Sequence, residues 1–264
     1  PTVDSEYLPH AVNNEVFKPF ESEVTEKLRE ENFTDGKDKV VFFWNNRNAK
    51  RKLAASIIHW FKDFLDRVGE DKAILLMHTN PKDPHGPDLE AVAANLDLNR
   101  GQVLFSTTKL PEHELAAMYN IVDCTVNISD AEGFGLGTLE SLSCGTPIIV
   151  NMTGGLQEQV TNGQEEFGIP LQPASKAIIG SQNVPYIYED RVDGKDFVNA
   201  LEKIYKMSKE ERKEMGLKGR KHVLTNYSFE KYQSRWVEII DEVHQKWGSW
   251  EDKKQNKLWT MEVV

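Results

Sequence analysis

Cysteine is almost missing from this 264-residue chain, occurring only at Cys124 and Cys144. Two cysteines build no disulfide framework, and no CxxC or Cys/His spacing offers a zinc site. Their scarcity points to a reducing, cytoplasmic setting. Long apolar runs are missing too: none approaches the roughly 18 residues of a membrane-spanning helix, so no membrane span is expected. No secretory leader is visible. Positive charge is in short supply, with 32 Lys and Arg against 42 Asp and Glu, a net charge of −10. General nucleic-acid binding runs on cations neutralising phosphates, so nucleic acid is excluded as a partner. Any anionic ligand must instead be met by a local basic cluster. The chain opens on Pro1 without a Met and reads as a fragment or a processed product. Asn-x-Ser/Thr triplets at Asn32, Asn127, Asn151 and Asn226 read as coincidence rather than glycan acceptors, because two of them follow predicted buried strands.

What is present is a regular alternation. With 39% apolar residues the chain can bury a proper core. Residues 1–36 read as a tether, punctuated by Pro9 and Pro19, with a charged helical piece near Glu21–Glu31 and a turn at Asp35-Gly36. Short β-rich apolar runs follow at Val40–Trp44, Ala73–Met77, Gln102–Phe105, Ile121–Ile128 and Pro147–Val150. Between them, residues 50–68, Asp88–Leu96, Pro111–Tyr119 and Leu136–Ser143 carry helical spacing or helix-start signals, and Leu156–Val160 forms a further short helix. Residues 172–186 read as an irregular loop before a last strand at Tyr186–Tyr188. The rest is helical: Asp193–Met207, a helix opened by a capping box at Ser208–Glu211, and one beginning near Ser228 with Phe229, Tyr232, Trp236 and Ile239/Ile240 on one face. The Trp-bearing tail from Trp247 reads either as loosely docked or as a patch that meets another domain. Strands alternating with helices predict an α/β fold, a Rossmann-like, mostly parallel sheet with helices on both faces and C-terminal helices. Ligands of such sheets bind at the carboxyl ends of the strands.

At the end of the fourth predicted strand stands Glu132-Gly133-Phe134-Gly135-Leu136-Gly137-Thr138-Leu139-Glu140, running from a loop into a helix. Carboxylates accept hydrogen bonds from sugar hydroxyls, while glycines let backbone amides approach a phosphate. The helix start near Leu136 adds free N–H groups and a positive dipole end. This stretch resembles the family 4 retaining glycosyltransferases of the GT-B fold. The resemblance continues through Cys144-Gly145-Thr146-Pro147, Gly154-Gly155 and Glu158. Upstream it includes Leu8-Pro9-His10-Ala11-Val12, where the family's usual linker glycine is Ala11, and Arg47 with Arg51-Lys52. It spans residues 8–245.

The resemblance implies roles. Arg47 and Lys52 would hold a donor diphosphate, which also suits their place on the first strand's loop at the same sheet edge. Glu132 would bind hydroxyls of the transferred sugar and Glu140 the ribose. Backbone amides from Gly133, Phe134, Gly135, Leu136, Gly137 and Thr138 would contact sugar and phosphates, and the loop with Lys109 and Leu110 would lie against the base. The expected partner is a UDP- or GDP-sugar, a substrate rather than a cofactor; no cofactor is expected, and Asp130-x-Glu132 is not read as a metal site. The expected activity is hexosyl transfer to an acceptor hydroxyl. A non-catalytic nucleotide-sugar-binding module or a sugar-nucleotide epimerase is the alternative. Three segments are expected: residues 1–36 as an interdomain linker, 37–227 as the nucleotide-sugar-binding domain, and 228–264 as a helix and tail crossing back to an acceptor domain outside this sequence.

Overall fold

The computed structural model describes residues 5–33, 36 and 38–249. Six parallel strands form the central sheet: β1 (Val40–Asn45), β2 (Ala73–His78), β3 (Val103–Ser106), β4 (Cys124–Asn127), β5 (Ile148–Asn151) and β6 (Gly168–Leu171). Their order is β3-β2-β1-β4-β5-β6. The chain therefore winds outward from β1 to β3, returns to the middle, and winds outward the other way. Strand order reverses between β1 and β4, where Phe42 lies opposite Cys124 and Phe43 opposite Thr125. A reversal of this kind opens a crevice at the carboxyl ends of the two strands.

Successive strand side chains point to opposite faces, and the two halves of the core divide accordingly. Phe42 and Trp44 join Ile57, Phe61, Phe64 and Leu65 on one face. Val41 and Phe43 join Tyr119, Leu139, Leu142 and Val223 on the other. The first face is covered by α2 (Ala54–Val68), α3 (Leu89–Asn95) and α7 (Gly194–Lys206). The second is covered by α4 (Glu112–Ile121), α5 (Leu136–Ser143), α6 (Leu156–Val160) and α8 (Lys209–Asn226). The charged piece near the amino end is α1 (Ser22–Asn32), packed on α4. The segment before it is docked, with Val12 and Phe17 buried in the second core. Asp35 and the tail from Trp250, with Trp259, lie outside the described residues.

Several elements fall differently from the sequence expectation. Ile121 closes α4 rather than opening β4, so that strand is four residues, Cys124–Asn127. Strand β6 was not expected: its sequence, Gly-Ile-Pro-Leu, holds two poor strand formers, and Pro170 is tolerated because β6 is an edge strand. Residues 172–186 are not simply loop. They include β7 (Ser175–Ile178), which pairs antiparallel with β8 (Tyr188–Arg191), the segment that replaces the expected strand at Tyr186–Tyr188. The capping box is formed by Ser208 and Glu211. The last helix, α9 (Phe229–Trp247), buries none of its residues, and Phe229, Trp236 and Ile240 stay exposed.

One ion cluster ties α1 and α8 to the sheet. Asp123, just before β4, receives Arg29 at 2.8 Å and Arg212 at 3.1 Å, together with the backbone N–H of Val41 at 2.8 Å. All three side chains are at least 85% buried, with exposures of 9%, 15% and 12%. Removing one member of such a cluster strands buried charge. Asp123→Ala is expected to lower unfolding stability by about 3–5 kcal/mol, measured by urea denaturation against wild type.

Candidate active site

At the β1/β4 reversal lies a cleft of about 310 Å³. Its walls come from His10, from Asn45 and Asn46 at the end of β1, from Lys52, from Asn127 at the end of β4, and from Glu132 and Phe134–Thr138. A 3-10 turn, Lys50–Lys52, carries the lysine. Leu53 then adopts φ 55°, an uncommon left-handed conformation for a branched residue, and turns the chain into α2. This bend leaves Lys52 at only 7% exposure, against Glu132.

The Glu132 loop is shaped from below. Gly135 caps α5 at φ 88°, and a Cβ there would stand 2.5 Å from Leu156 Cδ2. Gly154, at φ 50°, lies so close under the loop that a Cβ would come within 1.7 Å of the Glu132 carbonyl oxygen. Gly155 donates its backbone N–H to the Gly133 carbonyl at 3.0 Å. The buried Gln159 amide donates to the Phe134 carbonyl at 2.8 Å, and its oxygen lies 2.6 Å from the Thr138 hydroxyl. The loop and the first turn of α5 are thus held in one shape, with the first-turn amides of a helix having no intrahelical partner.

Electrostatics centre on Glu132. Burial alone would raise its carboxyl, but the Lys52 hydrogen bond and charge, the Asn127 amide at 3.3 Å and Arg51 at 3.7 Å outweigh it. Its pKa is held below the ordinary value. Burial lowers the Lys52 ammonium despite the pull of Glu132, with Arg51 adding repulsion. With two cations and the Asn127 amide around Glu132, its contact with Lys52 is an ion pair. Glu140 is different. It stands behind the cleft wall, where Tyr119 donates to it at 2.8 Å and Asn45 in turn donates to Tyr119 at 2.8 Å. Burial pushes Glu140 up to about 7, opposed by the Tyr119 hydrogen bond and assisted by Glu112.

The remaining sequence-singled residues are spread out. Lys52, Glu132, Phe134, Gly135, Leu136, Gly137 and Thr138 share the cleft, and Gly133 sits exposed on its loop. Arg47 does not line it: its guanidinium reaches Asp83 at 2.8 Å and His85 Nδ1 at 2.7 Å. Lys109 and Leu110 lie on the β3–α4 connection, outside the cleft lining. Sequence reading passed over Asn45, Asn46, Tyr119 and Asn127. The two β1 asparagines were findable, since they sit where a parallel strand ends. Asn127 and Asn151 are buried, with exposures of 4% and 0%, so neither can carry a glycan in the folded chain. Next to the site, Asp130 is buried and pushed up to about 6, mainly by burial. Its carbonyl takes the N–H of Asp190 at 2.7 Å, which roots the β7–β8 hairpin on this loop. Among the described residues no group of three or more His, Cys, Asp or Glu is arranged to hold a metal ion, and no helix is long and apolar enough to cross a membrane.

The six-strand order, with the cleft at its reversal and a glycine-opened helix beneath, defines one Rossmann-like half of a GT-B fold. The chain belongs to the glycosyl transferases group 1 family, whose sequence pattern matches residues 24–222. The D-inositol 3-phosphate glycosyltransferase of Corynebacterium jeikeium is 29% identical over 160 residues, covering 60% of this chain and 38% of that protein. Sucrose-phosphate synthase from Thermosynechococcus elongatus superposes with a TM-score of 0.71 at 20% identity, over 90% of this chain and 52% of that one. Anabaena HepE, solved in complex with UDP and glucose, gives 0.68 at 14% identity, over 88% and 55%. The chain spans about half, or less, of the length of these relatives.

Two outcomes test the site's construction. Gly154→Ala is expected to cost about 1–3 kcal/mol in denaturant stability, because the methyl group has no room under the Glu132 carbonyl. The second concerns Glu140. An acid with a raised folded pKa binds its proton more tightly when folded, so stability falls as pH rises from the unfolded value towards 7. Relative to Glu140→Gln, wild type should lose up to about 3 kcal/mol between pH 5 and pH 8, read from urea midpoints at each pH.

Proposed function

We propose that this chain is the donor-binding half of a retaining glycosyltransferase that moves a hexosyl group from a UDP- or GDP-sugar to an acceptor hydroxyl. One observation carries the reading: Lys52, Glu132 and the glycine-capped start of α5 meet in a single cleft at the strand-order reversal. A diphosphate sugar presents anionic oxygens beside hydroxyl groups, and this cleft presents a cation, amides and a carboxylate beside one another. Glu132 accepts hydrogen bonds from the transferred sugar. Lys52 faces the diphosphate, and Arg47 joins it by exchanging Asp83 for phosphate oxygen. The amides from Gly133 to Thr138 contact sugar and phosphate, Glu140 takes the ribose, and the loop with Lys109 and Leu110 lies against the base.

In the reaction the bond from the anomeric carbon to the phosphate oxygen breaks. A bond from that carbon to the acceptor oxygen forms on the same face, and the acceptor's proton passes to the leaving phosphate. The protein orients the reactants and stabilises the charge that develops on the diphosphate. No cofactor takes part; the nucleotide sugar is the substrate. The acceptor is held by a second, N-terminal domain, the partner that residues 1–36 lead from and that the exposed apolar face of α9 meets, so residues 228–264 cross back to it. The meeting of Glu132, Lys52 and the glycine-capped start of α5 in one cleft favours an enzyme over a non-catalytic module. The two buried thiols, Cys124 and Cys144, suit a reducing cytoplasm.

Calorimetry with UDP, GDP and ADP tests the reading. Wild type should bind UDP or GDP, and Lys52→Ala should weaken that binding by about tenfold or more, the size of a lost charge-assisted contact. A folded wild-type protein that binds none of the three would sink the proposal.

A further inference from the structure

The donor reading gives no task to the buried tyrosine beside Glu140. Tyr119, on α4, is fully buried between Phe43, at a ring-centroid distance of 5.3 Å, and Phe17, at 6.2 Å. Its own carbonyl is fixed by the Thr146 hydroxyl at 2.6 Å. The ring therefore has a set position, and its hydroxyl bridges two elements, β1 through Asn45 and α5 through Glu140. A phenol has one proton to give. Because the Asn45 amide occupies an acceptor position on the oxygen, that proton is directed at Glu140 Oε2.

We infer that Tyr119 is a positioning residue for the nucleotide: steered by Asn45, it holds the Glu140 carboxylate in the orientation and charge state that accepts ribose hydroxyls. This rests on the donor-site reading above. The groups facing Glu140 make the role specific. Glu112, at the start of α4, repels its charge, and the Cys144 thiol lies one turn on, just past the end of α5. Among the described residues Tyr119 is the group whose hydrogen bond favours the charged form, against burial and Glu112. Burial, followed by the Glu140 charge, raises the phenol well above its ordinary range, so it keeps its proton throughout. A protonated Glu140 would offer a donor where the ribose needs an acceptor. Binding is therefore coupled to loss of a proton, and the phenol sets the pH at which that happens.

The experiment is UDP-glucose affinity as a function of pH, from about pH 6 to pH 9, across the range where Glu140 titrates. UDP-glucose is chosen because its bridged phosphates do not titrate there. Wild type should bind more tightly as pH rises, with a midpoint near 7. Tyr119→Phe keeps the packed ring and should raise the midpoint by about one pH unit, so that it binds about fivefold more weakly at pH 7 and nearly tenfold more weakly at pH 6, with affinity converging on wild type at the alkaline end. Asn45→Ala, which leaves the ring untouched, should move the midpoint the same way by less. In a Glu140→Gln background neither change should alter affinity more than about twofold, because the group through which they act no longer titrates. His10 also lines the cleft, and any slope it contributes persists in that background. Weakening that is equal at every pH, or undiminished in the Glu140→Gln background, would overturn the inference and leave the donor site standing. A wild-type protein that binds no UDP-glucose, UDP or GDP would instead overturn the donor reading itself.

Discussion

The reversal of strand order between β1 and β4 is the constraint on which everything else hangs. Two neighbouring parallel strands whose following connections leave in opposite directions cannot both be roofed over, so their carboxyl ends face an open crevice. The loop after β1 brings Asn45, Asn46 and, through the 3-10 turn, Lys52. The loop after β4 brings Glu132 and the start of α5. Neither set makes a site alone. The β5–α6 connection completes it from beneath, since Gly154 and Gly155 let the backbone come close enough to support the Glu132 loop.

Charge in this crevice is already matched before any ligand arrives. Lys52 and Glu132 satisfy one another, and Arg47 is held outside by Asp83 and His85. On the proposed donor reading, an incoming diphosphate competes with carboxylates for these cations rather than meeting bare ones. Such a site discriminates by exchange: a ligand with anionic oxygens alone breaks the Lys52–Glu132 pair without replacing what Glu132 loses. One that also brings hydroxyl donors satisfies both partners. The net charge of −10 adds to this, because non-specific anions are repelled by the chain as a whole.

Most of the fold was legible because its central strands are apolar runs and α3, α7, α8 and α9 each start on an Asp or Ser cap. Val40–Asn45 is buried along nearly its whole length, and the Ser208 box formed as its residues indicated. The elements that escaped carry weak local signals. Strand β6 contains Gly and Pro, and β7 is a mostly exposed four-residue piece whose pairing with β8 spans a gap that propensity cannot see. In the site, the loop and helix around Glu132 could be read because glycine spacing is a local property. The separation of Arg47 from Lys52, the burial of Lys52 and the Asn45–Tyr119–Glu140 chain could not. Each depends on contacts between residues dozens of positions apart, such as Asn45 with Tyr119, which a linear pattern does not encode.

The last helix has an implication for how this molecule comes apart. α9 contributes nothing buried to either core, and its described attachments are polar ones near its beginning, such as the bond between Arg235 and Glu6. A helix in a protein gains most of its stability from packing, and in α9 only Tyr232, Arg235 and Ile239 are even partly buried. α9 is thus the element whose fraying would leave both cores intact.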